Sequence, residues 1–237
     1  MNWNEVRGQF PILNDYTYFN TARFCALPSA VVALQERYVE GLAHHGSWNF
    51  DEWVEKYENA RAMASELMGC GAEATFFLPN VSTGINLASL YLRDRPVVLM
   101  DTDFPSVILP WQTNDHPIER IPRGEMFYDQ LESSLREGNK ILSVSWVQSA
   151  DGFEIDLERV TKWCKAYDCT LVLDGTQGLG AIPFRVDPSV SMVFLSSSFK
   201  WLLAGYGVAI GYVSQDLLPR INAVPTLKSL EAGQQIL

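Results

Sequence analysis

The sequence predicts an α/β fold, a doubly wound and mostly parallel sheet with helices on both faces. Two observations carry that expectation. Short apolar runs of strand length alternate with longer segments whose apolar residues recur at helical spacing. Two of the runs, Leu171-Val172-Leu173 and Met192-Val193-Phe194-Leu195, are apolar throughout, as strands covered on both faces must be, and each leads into a polar cluster.

The elements follow in order. Residues 28–44 carry Pro28 near a helix start and then Val31, Leu34, Tyr38 and Leu42 at helical spacing. A second amphipathic helix is expected from Phe50 to Met68, with Trp53, Tyr57, Ala60, Ala64 and Leu67 on one face and Gly69 and Gly71 as its stop. Ala74–Leu78 reads as a strand and Pro79-Asn80 as a turn. Val81 to Tyr91 reads as a helix opened by Asn80 or Ser82. Strands are then expected at Pro96–Met100 and Lys140–Val147, and a helix at Leu157–Tyr167. Leu171–Leu173, Val193–Leu195 and Gly207–Val213 complete the strands. From Val213 onward there is one helix start and then a polar tail, SLEAGQQIL.

At 237 residues the chain can bury a sizeable core, as one large domain or one and a fraction. A formal charge of −10 and the absence of any basic run exclude a nucleic-acid surface, because a phosphate backbone demands clustered Lys and Arg. No apolar run approaches the length of a membrane span, and the first residues lack the basic and apolar regions of a secretory signal. A cytoplasmic location is therefore expected. Cys25, Cys70, Cys164 and Cys169 show no C-x-x-C spacing and share the chain with three histidines, so no metal site is expected and the cysteines read as free thiols.

Ligands of open α/β sheets sit beyond the carboxyl ends of the strands, which is where both polar clusters fall. After the first buried run comes Asp174; after the second come Ser196-Ser197-Ser198 and then Lys200 between Phe199 and Trp201. A lysine at a strand end can simply snorkel to water. Between two aromatics, however, desolvation disfavours its charged form, as a Schiff-base amine requires. A lone Asp174 can equally shape a turn with Gly175. As a pair on successive strands, the acid and the amine match the two protein groups a pyridoxal 5′-phosphate cofactor needs, a pyridinium partner and a covalent attachment point. Gln177 can reach a second ring substituent. The turn Pro79-Asn80-Val81-Ser82-Thr83-Gly84 joins a strand to a helix, so free N–H groups and two hydroxyls suit a phosphate, although plain N-capping explains the same residues. Phe104 follows the Pro96–Met100 strand, where a flat ring can stack on a cofactor or fill the core.

These segments together resemble the class V aminotransferases of the fold-type I pyridoxal-phosphate enzymes, a group including cysteine desulfurases, kynureninases and isopenicillin N epimerase-like proteins. The resemblance rests on YFNTARFCALP (18–28), NVSTGINLA (80–88), DFPSVILPW (103–111), VSWVQSADGFEIDL (144–157), DGTQ (174–177) and SSSFKW (196–201), six segments in the family's order. It implies a three-layer α/β/α large domain with a seven-stranded sheet. It also implies that Lys200 forms the Schiff base and moves the substrate α-proton, that Asp174 pairs with the pyridine nitrogen and that Gln177 pairs with the ring hydroxyl. Val81, Ser82, Thr83 and Ser197 would hold the phosphate, Phe104 would stack on the ring, Gln148 would lie near ring or substrate, and Asn20 would stand at the substrate entrance.

Two departures narrow the resemblance. Many members have His where this chain has Phe199, and desulfurases stack a His where it has Phe104. A phenyl ring cannot assist proton transfer. The expected reaction is therefore that of an epimerase-like or aminotransferase branch acting on an amino acid. The alternatives are a cysteine desulfurase and a catalytically defective pyridoxal-phosphate-fold binding protein. The resemblance further implies a homodimer. It divides the chain into an N-terminal segment (1–15), the cofactor-binding domain (16–215) and the start of a linker (216–237) toward a small C-terminal domain that is expected to be missing.

Overall fold

The computed structural model describes residues 2–93 and 95–218. All but the first three residues of the expected linker, and the tail at 229–237, lie outside the described residues. Seven strands form one sheet: β1 (Thr75–Leu78), β2 (Val97–Met100), β3 (Ile118–Ile121), β4 (Ile141–Ser145), β5 (Thr170–Asp174), β6 (Met192–Ser197) and β7 (Ala209–Val213). Their spatial order is β1-β7-β6-β5-β4-β2-β3. Every pairing is parallel except those of β7, which runs antiparallel to both β1 and β6. The helices are α1 (Trp3–Gly8), α2 (Ser29–His45), α3 (Phe50–Met68), α4 (Val81–Tyr91), α5 (Pro105–Thr113), α6 (Phe127–Leu135) and α7 (Leu157–Ala166).

The apolar strands make the layers because successive side chains point to opposite faces. Leu171, Leu173, Met192 and Phe194 join one core with Met68 of α3, Leu131 of α6 and Val160 of α7. Val172, Val193 and Leu195, from the alternate positions, join a second core with Ile85 of α4 and Trp111 of α5. Three layers result, as the resemblance implies.

Several elements differ from the sequence expectation. β3 is an edge strand, Ile-Glu-Arg-Ile, with its two middle side chains exposed, so it carries no apolar run. α5 contains Pro110, which a propensity reading treats as a breaker, and α6 and α1 are only nine and six residues long. α2 forms where its helical spacing places it, but no residue of α2 is buried, and Leu34, Tyr38 and Leu42 are all exposed. α3 is anchored by Ala64 of the predicted stripe together with Ser65 and Met68; Trp53 and Tyr57 are half-buried, while Ala60 and Leu67 face solvent. Its stop is as expected: Gly69 takes a left-handed φ of +67° and its N–H returns to Ser65 and Glu66.

Candidate functional site

The sheet register lines up the residues of the site. Ser145 at the end of β4 pairs with Asp174 at the end of β5, and Asp174 pairs with Leu195 of β6. Just beyond this line lies a cavity of about 140 Å³. Asp174 and Lys200 both line it, together with Val81 and Ser82 at the start of α4, Phe104 and Ser197. Gln177, Thr176 and Phe199 close its rim. A larger open hollow of about 520 Å³ lies between α6, α7 and residues 182–187, but no lysine lines it.

Burial sets the electrostatics. Lys200 is only 9% exposed, and loss of solvation lowers its pKa below the usual lysine range against the opposing pull of Asp174. Asp174 is buried as well, and desolvation raises its carboxyl above the ordinary value. Thr176 resists that rise, donating its N–H to Asp174 Oδ1 at 2.9 Å, while the nearby Asp103 adds to it and Lys200 offsets it. The acid therefore lies buried without a strong cationic partner, and the amine is biased toward its neutral, nucleophilic form.

The start of α4 borders the cavity. Asn80, not Ser82, is its N-cap: the Asn80 side chain accepts from the Thr83 N–H at 2.8 Å and from the Thr83 hydroxyl at 3.0 Å. Thr83 is thus turned to the cap, whereas Val81 and Ser82 face the cavity. Gly84 lets the helix come this close, because a Cβ there would sit 2.7 Å from Leu195 and 2.9 Å from Leu78. Ser197 donates its N–H to the Thr176 hydroxyl at 3.1 Å and is itself buried.

The remaining predicted residues fall into different surroundings. Phe104 stands at the N-cap position of α5 and lines the cavity, and the residue is 48% exposed. Gln177 bridges two segments, donating to the Ala22 carbonyl at 2.9 Å and accepting from the Trp201 indole at 3.1 Å. Gln148 is buried in the turn after β4, is not among the cavity-lining residues, and its side-chain NH₂ has no partner among the described residues. Asn20 is exposed in the segment 18–28, where its carbonyl accepts from Arg23 and Phe24 N–H groups. Ser198 turns its hydroxyl to the Gly205 and Val208 carbonyls of its own loop. The thiols of Cys70, Cys164 and Cys169 have pKa values raised by burial, the opposite of a reactive cysteine.

Sequence reasoning assigned no role to Asp103 or Thr176. Asp103 is 7% exposed, accepts from the Ser145 hydroxyl at 2.6 Å and N–H at 2.8 Å, and accepts from the Phe104 N–H at 2.6 Å. The one available signal was an acid just past a wholly apolar strand, a carboxylate that must find partners.

A family profile described as Aminotransferase class-V matches residues 17–229. The chain belongs to this family. Among similar class-V proteins, an uncharacterised aminotransferase, YcbU, of Bacillus subtilis (strain 168) is 28% identical over 90% of this chain and 59% of its own length. A probable cysteine desulfurase of Aeropyrum pernix is 26% identical over 92% of this chain and 57% of its own length. In fold, the apo cysteine desulfurase of Thermococcus onnurineus NA1 superimposes with a TM-score of 0.81 at 22% identity, over 92% of this chain and 58% of that one. The chain therefore spans a little under three-fifths of these relatives' length. Class-V enzymes use pyridoxal 5′-phosphate, and the donor set fits it: a buried acid for the pyridinium, a desolvated amine for the carbonyl and a capped helix start for the phosphate.

Proposed function

We propose that this chain is the cofactor-binding part of a pyridoxal-phosphate enzyme that acts on an amino acid, in the epimerase-like or aminotransferase branch. One observation carries the reading: Lys200 and Asp174, on neighbouring strand ends, line a single cavity with the start of α4. When bound, the cofactor supplies the electron sink that lets a bond to the substrate α-carbon break. Asp174 would hold the ring nitrogen protonated, and Val81 N–H, Ser82 and Ser197 would hold the phosphate. Phe104 would cover the ring face and exclude water. Lys200 would be the attachment point and then the group that takes and returns the α-proton, because no histidine lines the cavity. Burial that lowers the Lys200 pKa supports that role.

A cysteine desulfurase is the second reading, supported by relatives of that description. It requires sulfur release from L-cysteine, and a protein that binds the cofactor without any turnover would point instead to a binding protein. A homodimer and a cytoplasmic location belong to the same proposal. The first is supported by the exposed apolar side chains of α2, and the second by four unpaired cysteines. Among the described residues no helix is long and apolar enough to cross a membrane.

The test is borohydride reduction of the loaded protein followed by peptide mass spectrometry. A pyridoxyl adduct on Lys200 is expected. An adduct elsewhere, or none, overturns the assignment.

A further inference from the structure

Phe199 stands beside Lys200 and lines the same cavity, with the Lys200 Nζ 5.8 Å from its ring centroid. It does not stand alone. Phe24 lies 5.9 Å from it at an interplanar angle of 28°, and Tyr206 packs on both, 4.5 Å from each ring. Phe24 comes from a part of the chain distant from Phe199 and Tyr206, and the backbone pins it to them. Cys25 N–H donates to the Phe199 carbonyl at 2.9 Å, and the Tyr18 hydroxyl donates to the Phe24 carbonyl at 2.6 Å. Tyr206 is presented by a tight loop whose flanking glycines both adopt positive φ, +78° at Gly205 and +95° at Gly207. It remains 69% exposed, so the wall continues from the cavity rim to the surface with an uncovered ring at its end.

The charge of the cavity lining points the same way. Among the described residues Asp174 and Lys200 are its only ionisable groups, and the cofactor reading assigns both; what is left is phenyl, valine, hydroxyl and amide. A charged substrate side chain would find no counter-ion among these residues and would lose its hydration against them. A flat apolar side chain would find ring faces and edges. We infer that the aromatic wall of Phe24, Phe199 and Tyr206 selects amino-acid substrates with aromatic side chains. The inference rests on the cofactor reading above and adds the substrate class to it.

The test uses the 237-residue chain loaded with pyridoxal phosphate. It is titrated with L-phenylalanine, L-tyrosine, L-alanine, L-cysteine and L-aspartate while visible absorbance and tryptophan fluorescence are followed. The two aromatic amino acids are expected to bind at least about 5-fold more tightly than the other three. Tyr206→Ala, at an exposed position whose truncation opens no cavity, is expected to cut that preference about 3-fold, and Phe199→Leu to cut it by a similar factor. Circular dichroism checks that each variant is folded. Equal affinities, tighter binding of L-cysteine or L-aspartate, or a preference that survives both substitutions would each overturn the inference. A failed borohydride adduct on Lys200 is a separate outcome, and it removes the cofactor reading along with the selectivity built on it.

Discussion

The Asp103 carboxylate ties the end of β4 to the start of α5 through three short hydrogen bonds. In doing so it aims Phe104 at the cavity. Asp103→Ala leaves buried donors at Ser145 unpaired, a loss of about 2–3 kcal/mol. The melting temperature is expected to fall by roughly 5–10 °C, with weaker cofactor binding read by visible absorbance. An unchanged melting curve would show that these bonds do not anchor the strand. Lys200 presents the opposite case. A lysine whose folded pKa is depressed contributes stability that is present above about pH 10.5 and lost as pH falls through the folded value. That lowered pKa already includes the attraction of Asp174, so at neutral pH the buried ammonium is a net cost. Cofactor-free Lys200→Met is therefore expected to melt higher than the cofactor-free parent at pH 7. The gap should close as pH is raised toward the usual lysine value, as scanning calorimetry across that range would show. A lower melting temperature at pH 7 would contradict it.

The element on which the phosphate reading turns is α4. Its residue range was readable from the sequence because Asn80, a turn residue, precedes eleven residues rich in helix-compatible apolar side chains. What the sequence did not disclose is why Gly84 sits in its first turn: it lets the helix rest against Leu195 and Leu78. Gly84→Ala should push the helix start away from β6, costing about 1–3 kcal/mol. Cofactor affinity should drop at least about 10-fold, since cradle and lysine strand would no longer share one cavity. Equilibrium dialysis would decide this, and unaltered affinity would detach α4 from the site. Elsewhere, elements were legible in proportion to their burial. β2, β4, β5 and β6 are buried along their whole length, and β2, β5 and β6 carry unbroken apolar runs, whereas β3 has two exposed charged residues in four and left no such trace.

On the scale of the whole molecule, α2 is the anomaly. Its apolar spacing marks a helix, yet Leu34 is 60% exposed, and Tyr38, Val39 and Leu42 beside it are exposed too. Such a contiguous apolar surface suits a second copy of the chain. Light scattering after gel filtration should give the mass of a dimer, and Leu34→Glu combined with Tyr38→Glu should shift it toward the monomer. A monomeric parent would remove the homodimer from the proposal.

By itself the sequence indicated the class of fold, the positions of its buried strands along the chain and a candidate cofactor pair, Asp174 and Lys200. It could do so because fully buried strands have no choice but to be apolar, and a charged residue at the end of one needs a reason to be there. Tertiary structure alone decided which polar groups share the cavity. It placed Gln177 between Ala22 and Trp201 and left Gln148 out of the cavity lining. It also brought Phe24, from the distant N-terminal part of the chain, onto Phe199 and Tyr206. Those placements depend on the register and close approach of segments up to 180 or so residues apart, a distance over which local spacing carries no information.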